Sequence, residues 1–392
     1  MSRPVILAFA RYYLPGYKAG GPIRSIGNLV AQLGDEFDFH VVASDRDLGD
    51  AAPYANVTMD VWSPVEKATV MYLSRDQQGF RGLARLLRRT PHDAVCLNSF
   101  FDPVFSAVPL FLRRTGLAPR KPYLVAPRGE FSQGALALKA LKKQFYLRAV
   151  CIGGFVDDVV WQASSEYEAA EIIRACGVDP THVCVVPNPA SSEVDESSSF
   201  TSLYRDPGMP LKVLFLSRIS PMKNLQFALQ VLGRTREPIQ FDVYGPVTDE
   251  IYWQQCQKEM ASLPSHIKVQ YHGAVPPERV REIMADHDLF FLPTRGENFG
   301  HVIAEALSAG LPVLISDTTP WRDLKAAGVG WDLSLHEEQS FLRCIEHCAR
   351  LGAEEYDAWR ASIRRFAVTR LSDPEVIKAN RTVLLNALAG RR

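Results

Sequence analysis

Apolar, strand-like runs alternate with helix-patterned stretches along the whole chain, and this alternation limits the fold more than any other feature. PVILAFA, FDFHVVAS, DAVCLNS, KPYLVAP, DDVVWQAS and HVCVVPN stand in the first half; LKVLFLS, IQFDVYG, IKVQYHG, DLFFLP and LPVLIS stand in the second. Between them lie segments such as GPIRSIGNLVAQLG and PMKNLQFALQVLG, with apolar residues at helical spacing and helix-start signals. Strand and helix in alternation imply parallel sheets with helices on both faces. The Ser-rich stretch SSEVDESSSFTSLYRDPGMP has no periodicity and reads as a linker between two α/β halves. The expected architecture is therefore α/β, with two doubly wound domains facing across a cleft: residues 1–190, a linker at 191–208, and residues 209–373. A length of 392 residues suits two or three domains.

Composition excludes several classes. Hydrophobic residues make up 47% and charged residues 22%, the balance of a folded enzyme and far from disorder. The seven cysteines are scattered and odd in number, which argues for a reducing compartment and against a disulfide framework. Cys344, His347 and Cys348 share a helix face, but no fourth ligand follows at metal spacing, and buried thiols fit better than zinc. PVILAFARYYLPG at the start lacks the basic lead and cleavage site of a signal peptide. The most apolar stretch, residues 94–112, is interrupted by Asn98, Asp102, Pro103 and Pro109, which rules against a spanning helix. A cytoplasmic protein is expected.

The net charge is zero but unevenly spread. Residues 75–150 carry 14 basic against 4 acidic side chains, leaving the rest of the chain at a net of ten negative charges. RGLARLLRR and QGALALKALKKQFYLRAV, residues 133–150, read as basic amphipathic helices. In the second, Leu136, Leu138, Leu141, Phe145 and Leu147 stand among Lys139, Lys142, Lys143 and Arg148. Two readings stay open: a solvated face on a core helix, or a surface that docks on an anionic membrane or a phosphorylated acceptor. No nucleic-acid motif accompanies the charge.

In a doubly wound domain, ligands bind beyond the carboxyl ends of the strands, and the distinctive motifs lie there. TRGENFGHVIAEALSAGLPV follows the strand DLFFLP; its turn leads into a helix from about Gly300 to Ala309, stopped by Gly310. A helix N-terminus offers N–H groups and a positive dipole end, so a phosphate fits near Asn298 to Val302. Glu297 and Glu305 flank that point, separated by about 10 Å at roughly 1.5 Å of rise per helical residue plus the loop. A diphosphate with a sugar on one side and a ribose on the other spans a similar length. Glu297 would accept from sugar hydroxyls and Glu305 from the ribose diol. Nearby cations are then needed, and VLFLSRISPMKN supplies Arg218 and Lys223, with Ser220 and Pro221 read as N-cap and first helical residue. In the first half, Gly20, Gly21 and Pro22 form a flexible loop feeding a helix, without the dinucleotide fingerprint.

SRISPMKN, FDVYG, YHGAVP, GENFGHVIAEALSAGLPVLIS and the early AGG loop together resemble retaining GT-B-fold glycosyltransferases of family four, the group 1 enzymes of bacterial polysaccharide and lipopolysaccharide biosynthesis. WQASSEYEAAEI and VVPNP match as well, and the Glu297-to-Glu305 stretch is the most specific part. The resemblance implies two Rossmann-like domains. The C-terminal one holds a nucleotide-sugar donor, UDP- or GDP-linked, and the N-terminal one holds a glycan or polyprenyl-linked acceptor. A C-terminal helix, about 374–392, is implied to cross back to the first domain. Arg218 and Lys223 would contact the diphosphate, Glu305 the ribose, and Glu297 with the backbone of Asn298, Phe299 and Gly300 the transferred sugar. Gly20, Gly21 and Gly245 join the donor-binding set. Catalysis is assigned to Glu297, Arg218 and Lys223. Transfer is described as front-face attack, so no protein nucleophile, metal or cofactor is implied. The expected location stays cytoplasmic, with peripheral contact at the inner face of the plasma membrane, through basic residues 75–150, as the open alternative.

One position departs from the family. Where many members carry a histidine after the strand facing the sugar, PYLVAP runs into Arg128-Gly129-Glu130. Arg128 or Glu130 would face donor or acceptor, or the two would simply pair. Asp45 and Asp47 in SDRDLGD mimic a metal-binding carboxylate pair but read as a polar loop. His301 reads as a first-turn residue. The competing functions are a sugar-nucleotide epimerase of the same fold and a non-catalytic scaffold.

Overall fold

The computed structural model describes residues 3–132, 135–136, 140–191 and 209–390. All of the expected linker, 191–208, except Ser191, and part of the basic stretch 133–150 lie outside the described residues. The chain divides into two compact units, Met1–Ser192 with Asp373–Arg392, and Glu193–Ser372.

In the first unit the strands are β1 (Val5–Phe9), β2 (Asp38–Ser44), β3 (Trp62–Val65), β4 (Ala68–Leu73), β5 (Ala94–Leu97), β6 (Tyr123–Val125), β7 (Val160–Ala163) and β8 (Val183–Val185). They lie in the order β3-β4-β2-β1-β5-β6-β7-β8. All recorded pairings are parallel except β3 with β4, an antiparallel hairpin at the edge. At that edge a short connection reverses the chain and adds one antiparallel pair to the expected parallel sheet. Successive side chains of a strand face opposite ways, and β1 shows the result: Ile6 and Ala8 join one buried cluster, Leu7 and Phe9 the other. The helices α1 (Gly21–Leu33), α2 (Phe80–Arg89), α3 (Ala107–Arg114), α4 (Ala140–Ile152) and α5 (Glu166–Cys176) belong to this unit.

The second unit has a six-stranded sheet in the order β11-β10-β9-β12-β13-β14, with β9 (Leu211–Leu216), β10 (Ile239–Tyr244), β11 (Ile267–Gly273), β12 (Leu289–Leu292), β13 (Val313–Ser316) and β14 (Gly330–Leu333). Its pairings are parallel throughout. Its helices are α6 (Leu225–Leu232), α7 (Glu250–Ala261), α8 (Pro277–Ala285), α9 (His301–Ser308), α10 (Glu338–Arg350) and α11 (Ala353–Leu371). Near-continuous apolar runs such as LFFL and VLIS are buried at every position, as strands covered on both faces must be.

The last helix, α12 (Pro374–Leu388), opens on Asp373, whose side chain caps the Glu375 amide. Val383, Leu384 and Ala387 enter the cluster formed by Ile26, Leu29 and Val30 of α1. Buried Asn380 donates to the Pro187 carbonyl (3.0 Å) and accepts from Gln162 (3.0 Å). Arg381 forks onto Glu36 at 2.7 and 2.5 Å. These contacts place the end of the chain within the first unit.

Asp242 is buried on β10 of the second sheet. Burial would raise its pKa, but hydrogen bonds from His287 (3.3 Å), His272 (2.5 Å) and Gln240 (2.8 Å) outweigh that and hold it well below the carboxylate range. A carboxylate depressed on folding stabilises fully above its unfolded pKa of about 3.9, and that contribution disappears as pH falls through the folded value. Asp242→Asn should therefore cost about 2 kcal/mol at neutral pH and flatten the loss of stability below about pH 4. Urea midpoints of both proteins from pH 7 to 3 test this; parallel curves would refute it.

Candidate functional site

In the second unit the chain builds outward from β9 through β10 to β11, then returns to the other side of β9 to lay down β12. The strand order reverses between β9 and β12, and in open α/β sheets such a switch point is where the connecting loops part to admit a ligand. The loop after β9 carries Arg218 and Lys223; the loop after β12 carries Glu297 to Gly300. The two flank the switch point.

Three loops are tied together there. The Arg295 amide donates to the Met222 carbonyl (2.8 Å), and the buried Thr294 hydroxyl donates to the same carbonyl (3.1 Å). From the loop after β13, Thr318 donates to the Thr294 carbonyl (2.9 Å), while its own carbonyl accepts from the Glu297 amide (3.3 Å). The Lys223 ammonium pairs with the Glu297 carboxylate, each side chain only 12% exposed. Arg218 is exposed and lies within electrostatic range of Glu297.

Sequence had placed a helix N-terminus at Ser220 and Pro221. The structure corrects this: residues 220–224 form a turn, with the Lys223 amide donating to Ser220, and α6 begins at Leu225. Asn224 has φ of 60°, which interrupts helical geometry before it can propagate. The turn displaces Lys223 from a helix face into the loop, where it meets Glu297.

Gly300 is the N-cap of α9 and carries no side chain with which to cap it, so the positive end of the helix keeps its reach for an anion. Trp321 fixes the approach, its indole N–H donating to the Phe299 carbonyl (2.7 Å) and its ring 6.0 Å from that of Phe299. His301 is buried in the first turn. Glu305 lies one turn further along α9, half-buried. Gly245 ends β10 with φ of 137°, and a Cβ there would stand 1.9 Å from the Ser217 carbonyl oxygen. Its smallness lets β10 end against the backbone that presents Arg218.

Sequence reasoning missed Thr294, Thr318 and Trp321. Their signal was weak, because a threonine or tryptophan after a strand is common and only the assembled loops show what it holds.

In the first unit the switch point lies between β1 and β5. Arg11, just after β1, forks onto Asp102, beyond β5, with one bond at 2.9 Å, and Asp102 also accepts from the Val104 (2.9 Å) and Phe105 (2.7 Å) amides. This pair was not legible in the sequence. Arg128 and Glu130 do not pair, which corrects that alternative. Arg128 donates to Asn98 (2.9 Å) and Asn188, from a backbone with φ of 56°. Glu130 accepts from Ser99 (2.8 Å) and the amides of Phe100 (2.6 Å) and Phe101 (3.1 Å). Its carboxylate is thus occupied in holding the 99–101 turn.

Gly20 precedes α1 with φ of 71° and ψ of −125°, a conformation nearly confined to glycine, and no atom lies within 4 Å of where its Cβ would be. Asp47 holds this loop by accepting from the Tyr17 (2.7 Å) and Lys18 (3.0 Å) amides, while Asp45 is bound by Arg46. The two carboxylates serve different partners. Among the described residues, no group of three or more His, Cys, Asp or Glu is placed to hold a metal.

Residues 204–357 match the family model described as glycosyl transferases group 1. A D-inositol 3-phosphate glycosyltransferase of Rhodococcus erythropolis is 31% identical over 166 residues, covering 40% of this chain and 37% of that protein. The chain thus aligns with little over a third of the length of that relative. Over nearly the full chain, the structure resembles Alr3699/HepE of Anabaena in complex with UDP-glucose, with a TM-score of 0.70, 16% identity and coverage of 98% and 99%. It also resembles WaaG, described as a glycosyltransferase involved in lipopolysaccharide biosynthesis, at 0.68, 15% identity and coverage of 97% and 99%. The chain has the GT-B fold.

Gly245→Ala should destabilise the second unit by at least about 2 kcal/mol, through a strained φ and a backbone clash. A urea melt followed by a probe in that unit checks this; an unchanged midpoint would contradict the packing described.

Proposed function

We propose that this chain is a retaining, metal-independent glycosyltransferase of family four. It moves a sugar from a nucleoside-diphosphate donor to a hydroxyl of a glycan or polyprenyl-linked acceptor in cell-surface polysaccharide synthesis. The observation that carries the proposal is the Lys223–Glu297 pair at the switch point, with Arg218 beside it and the Gly300 end of α9 beyond. Two cations, a helix N-terminus and two carboxylates are the groups a sugar diphosphate needs.

In this reading the second unit is the donor side and the first the acceptor side. Arg218 and Lys223 take the diphosphate oxygens, and Glu305 accepts from the ribose diol. Glu297, with the backbone of Asn298, Phe299 and Gly300, orients the transferred sugar. The donor-phosphate role of Gly20 and Gly21 belongs to the same proposal, and Gly245 contributes by shaping the loop under Arg218. Charge builds on the diphosphate as its bond to the sugar breaks, and preorganised cations stabilise that charge without reorganising. The acceptor hydroxyl attacks from the departing side, its oxygen bonding to the anomeric carbon while its proton passes to the leaving phosphate oxygen. Arg128 and Glu130 shape the acceptor side by holding Asn98, Asn188 and the 99–101 turn. The complex of Alr3699/HepE with UDP-glucose makes UDP-sugars the first donors to try.

Melting in the presence of UDP, GDP, ADP, CMP or NAD, for wild type and Glu305→Gln, tests the assignment. A ligand at 100 times its dissociation constant stabilises by about 2.7 kcal/mol. One nucleoside diphosphate should raise the melting temperature of wild type and lose most of that effect on Glu305→Gln; a response to none of them would sink the proposal. With a working donor, Lys223→Ala should lower kcat by about 100- to 1,000-fold. Release of an epimerised sugar nucleotide without acceptor would move the function to the epimerase.

A further inference from the structure

Two of the seven cysteines meet, and the seating of α4 and α5 brings them together. Periodicity would bury Leu141 and Phe145 of α4 together with Leu147. The structure corrects this: Leu141, Phe145 and Ile152 face outward, while Tyr146, Leu147 and Val150 pack on the core around Phe100. Cys151 follows Leu147 by one turn on that inward face. On α5, Ala169 and Ile172 are buried, and Cys176 closes the same stripe at the end of the helix. Both cysteines pack against the cluster that holds these residues; each is half-buried, and both are free thiols.

The two side chains are hydrogen-bonded sulfur to sulfur. The effect is asymmetric. Donation from Cys176 holds the Cys151 thiol below its ordinary value, against burial, while the same bond, helped by burial, raises Cys176. Burial pushes Cys96, Cys256 and Cys344 up to about 11 and raises Cys184 as well. A thiol that served packing alone would follow those four. Cys151 departs from them in the direction of a nucleophile, and its partner is already in contact with it.

We propose that Cys151 and Cys176 form a site of reversible oxidation, at which hydrogen peroxide converts the paired thiols to a disulfide that staples α4 to α5. The Cys151 thiolate attacks a peroxide oxygen, the O–O bond breaks and hydroxide leaves, giving a sulfenic acid. The Cys176 sulfur then attacks the Cys151 sulfur. The S–S bond forms, the S–O bond breaks, and the Cys176 proton leaves with that oxygen as water, so two electrons pass from the thiols to the peroxide. Gly153 and Gly154 follow α4 directly, Gly154 at φ of 64°, and their freedom lets its last turn cover the short distance from a thiol contact to a bond of about 2.05 Å. In a reducing compartment such a disulfide is transient and reports oxidant, which scattered cysteines in a sequence do not exclude. The two helices also brace the turns beside the first switch point: Tyr146 donates to the Phe100 carbonyl (3.1 Å), and Glu168 accepts from the Gly129 amide (2.5 Å). Stapling them fixes the supports of both turns together. The inference uses only the first unit and stands whether or not the donor site acts as proposed.

Peptide mapping of the full chain after mild treatment with hydrogen peroxide, with remaining thiols capped by N-ethylmaleimide, tests it. A cross-linked peptide pair joining Cys151 to Cys176 should appear, two hydrogens lighter than its reduced form, and vanish on addition of dithiothreitol. Cys176→Ser should trap Cys151 as the sulfenic acid, captured by dimedone at least about ten-fold more heavily than Cys184 or Cys344 of the same chain. Cys151→Ser should leave Cys176 a thiol under the same treatment. Oxidised wild type should melt several degrees above the reduced protein, because the link constrains the unfolded chain, and that difference should vanish in either serine variant. Peroxide that leaves Cys151 and Cys176 unlinked in wild type, or that oxidises Cys184 or Cys344 first, would overturn the proposal. So would disulfides that join two chains through Cys151 in place of the link within one.

Discussion

The Lys223–Glu297 ion pair joins loops that follow two neighbouring strands, and the switch point of the second unit is organised around it. Two side chains only 12% exposed cannot both be charged there at low cost without each other. The pair is possible because β9 and β12 are adjacent while their onward connections run in opposite directions. The parallel sheet thus determines where the charges meet, and the surrounding threonines and Trp321 determine how closely. In the proposed function, a diphosphate arriving at this point would offer Lys223 a second anionic partner and free Glu297 to accept from sugar hydroxyls. The pair holds both groups in register beforehand, which lowers the ordering cost of binding.

The first unit repeats the same architecture with a different filling. Its switch point is occupied by Arg11 and Asp102, whose carboxylate is saturated by the guanidinium and two amides. Beside it, Arg128 and Glu130 are committed to Asn98, Asn188 and the 99–101 turn. These polar groups hold loops in place. Gly20 differs, since open space lies beside a backbone that its neighbours, through Asp47, keep fixed. One fold therefore presents a cation-rich switch point in one unit and a structurally satisfied one in the other.

Much of this was legible in the sequence because parallel strands buried on both faces announce themselves as apolar runs. LFFL and VLIS could hardly be anything else. Three strands were missed: β4, ATVMYL, although it is apolar and mostly buried, and β3 and β14, which lacked that signal. β3 contains Pro64 and has no buried position, and it meets β4 through Glu66 and Lys67, a turn without glycine or asparagine, with Glu66 at φ of 52°. β14 is half-buried along Trp331 to Leu333. The Ser-Pro signal at 220 was sound locally, but Asn224 overrode it. In α4, periodicity located apolar residues and could not say which stripe faces the core, because the helix is apolar on more than one side. The candidate site was legible as residue types after strands; the threonine, tryptophan and backbone bonds that assemble it depend on which loops become neighbours.

The central claim is that Arg218 and Lys223 at the switch point read a diphosphate. Isothermal titration of UDP against UMP, on wild type and on Arg218→Ala with Lys223→Ala, addresses it most directly. The account predicts that wild type binds UDP at least ten-fold more tightly than UMP, about 1.4 kcal/mol, and that the double substitution removes this preference while leaving UMP affinity nearly unchanged. An undiminished preference in the double variant would place the diphosphate elsewhere and contradict the account.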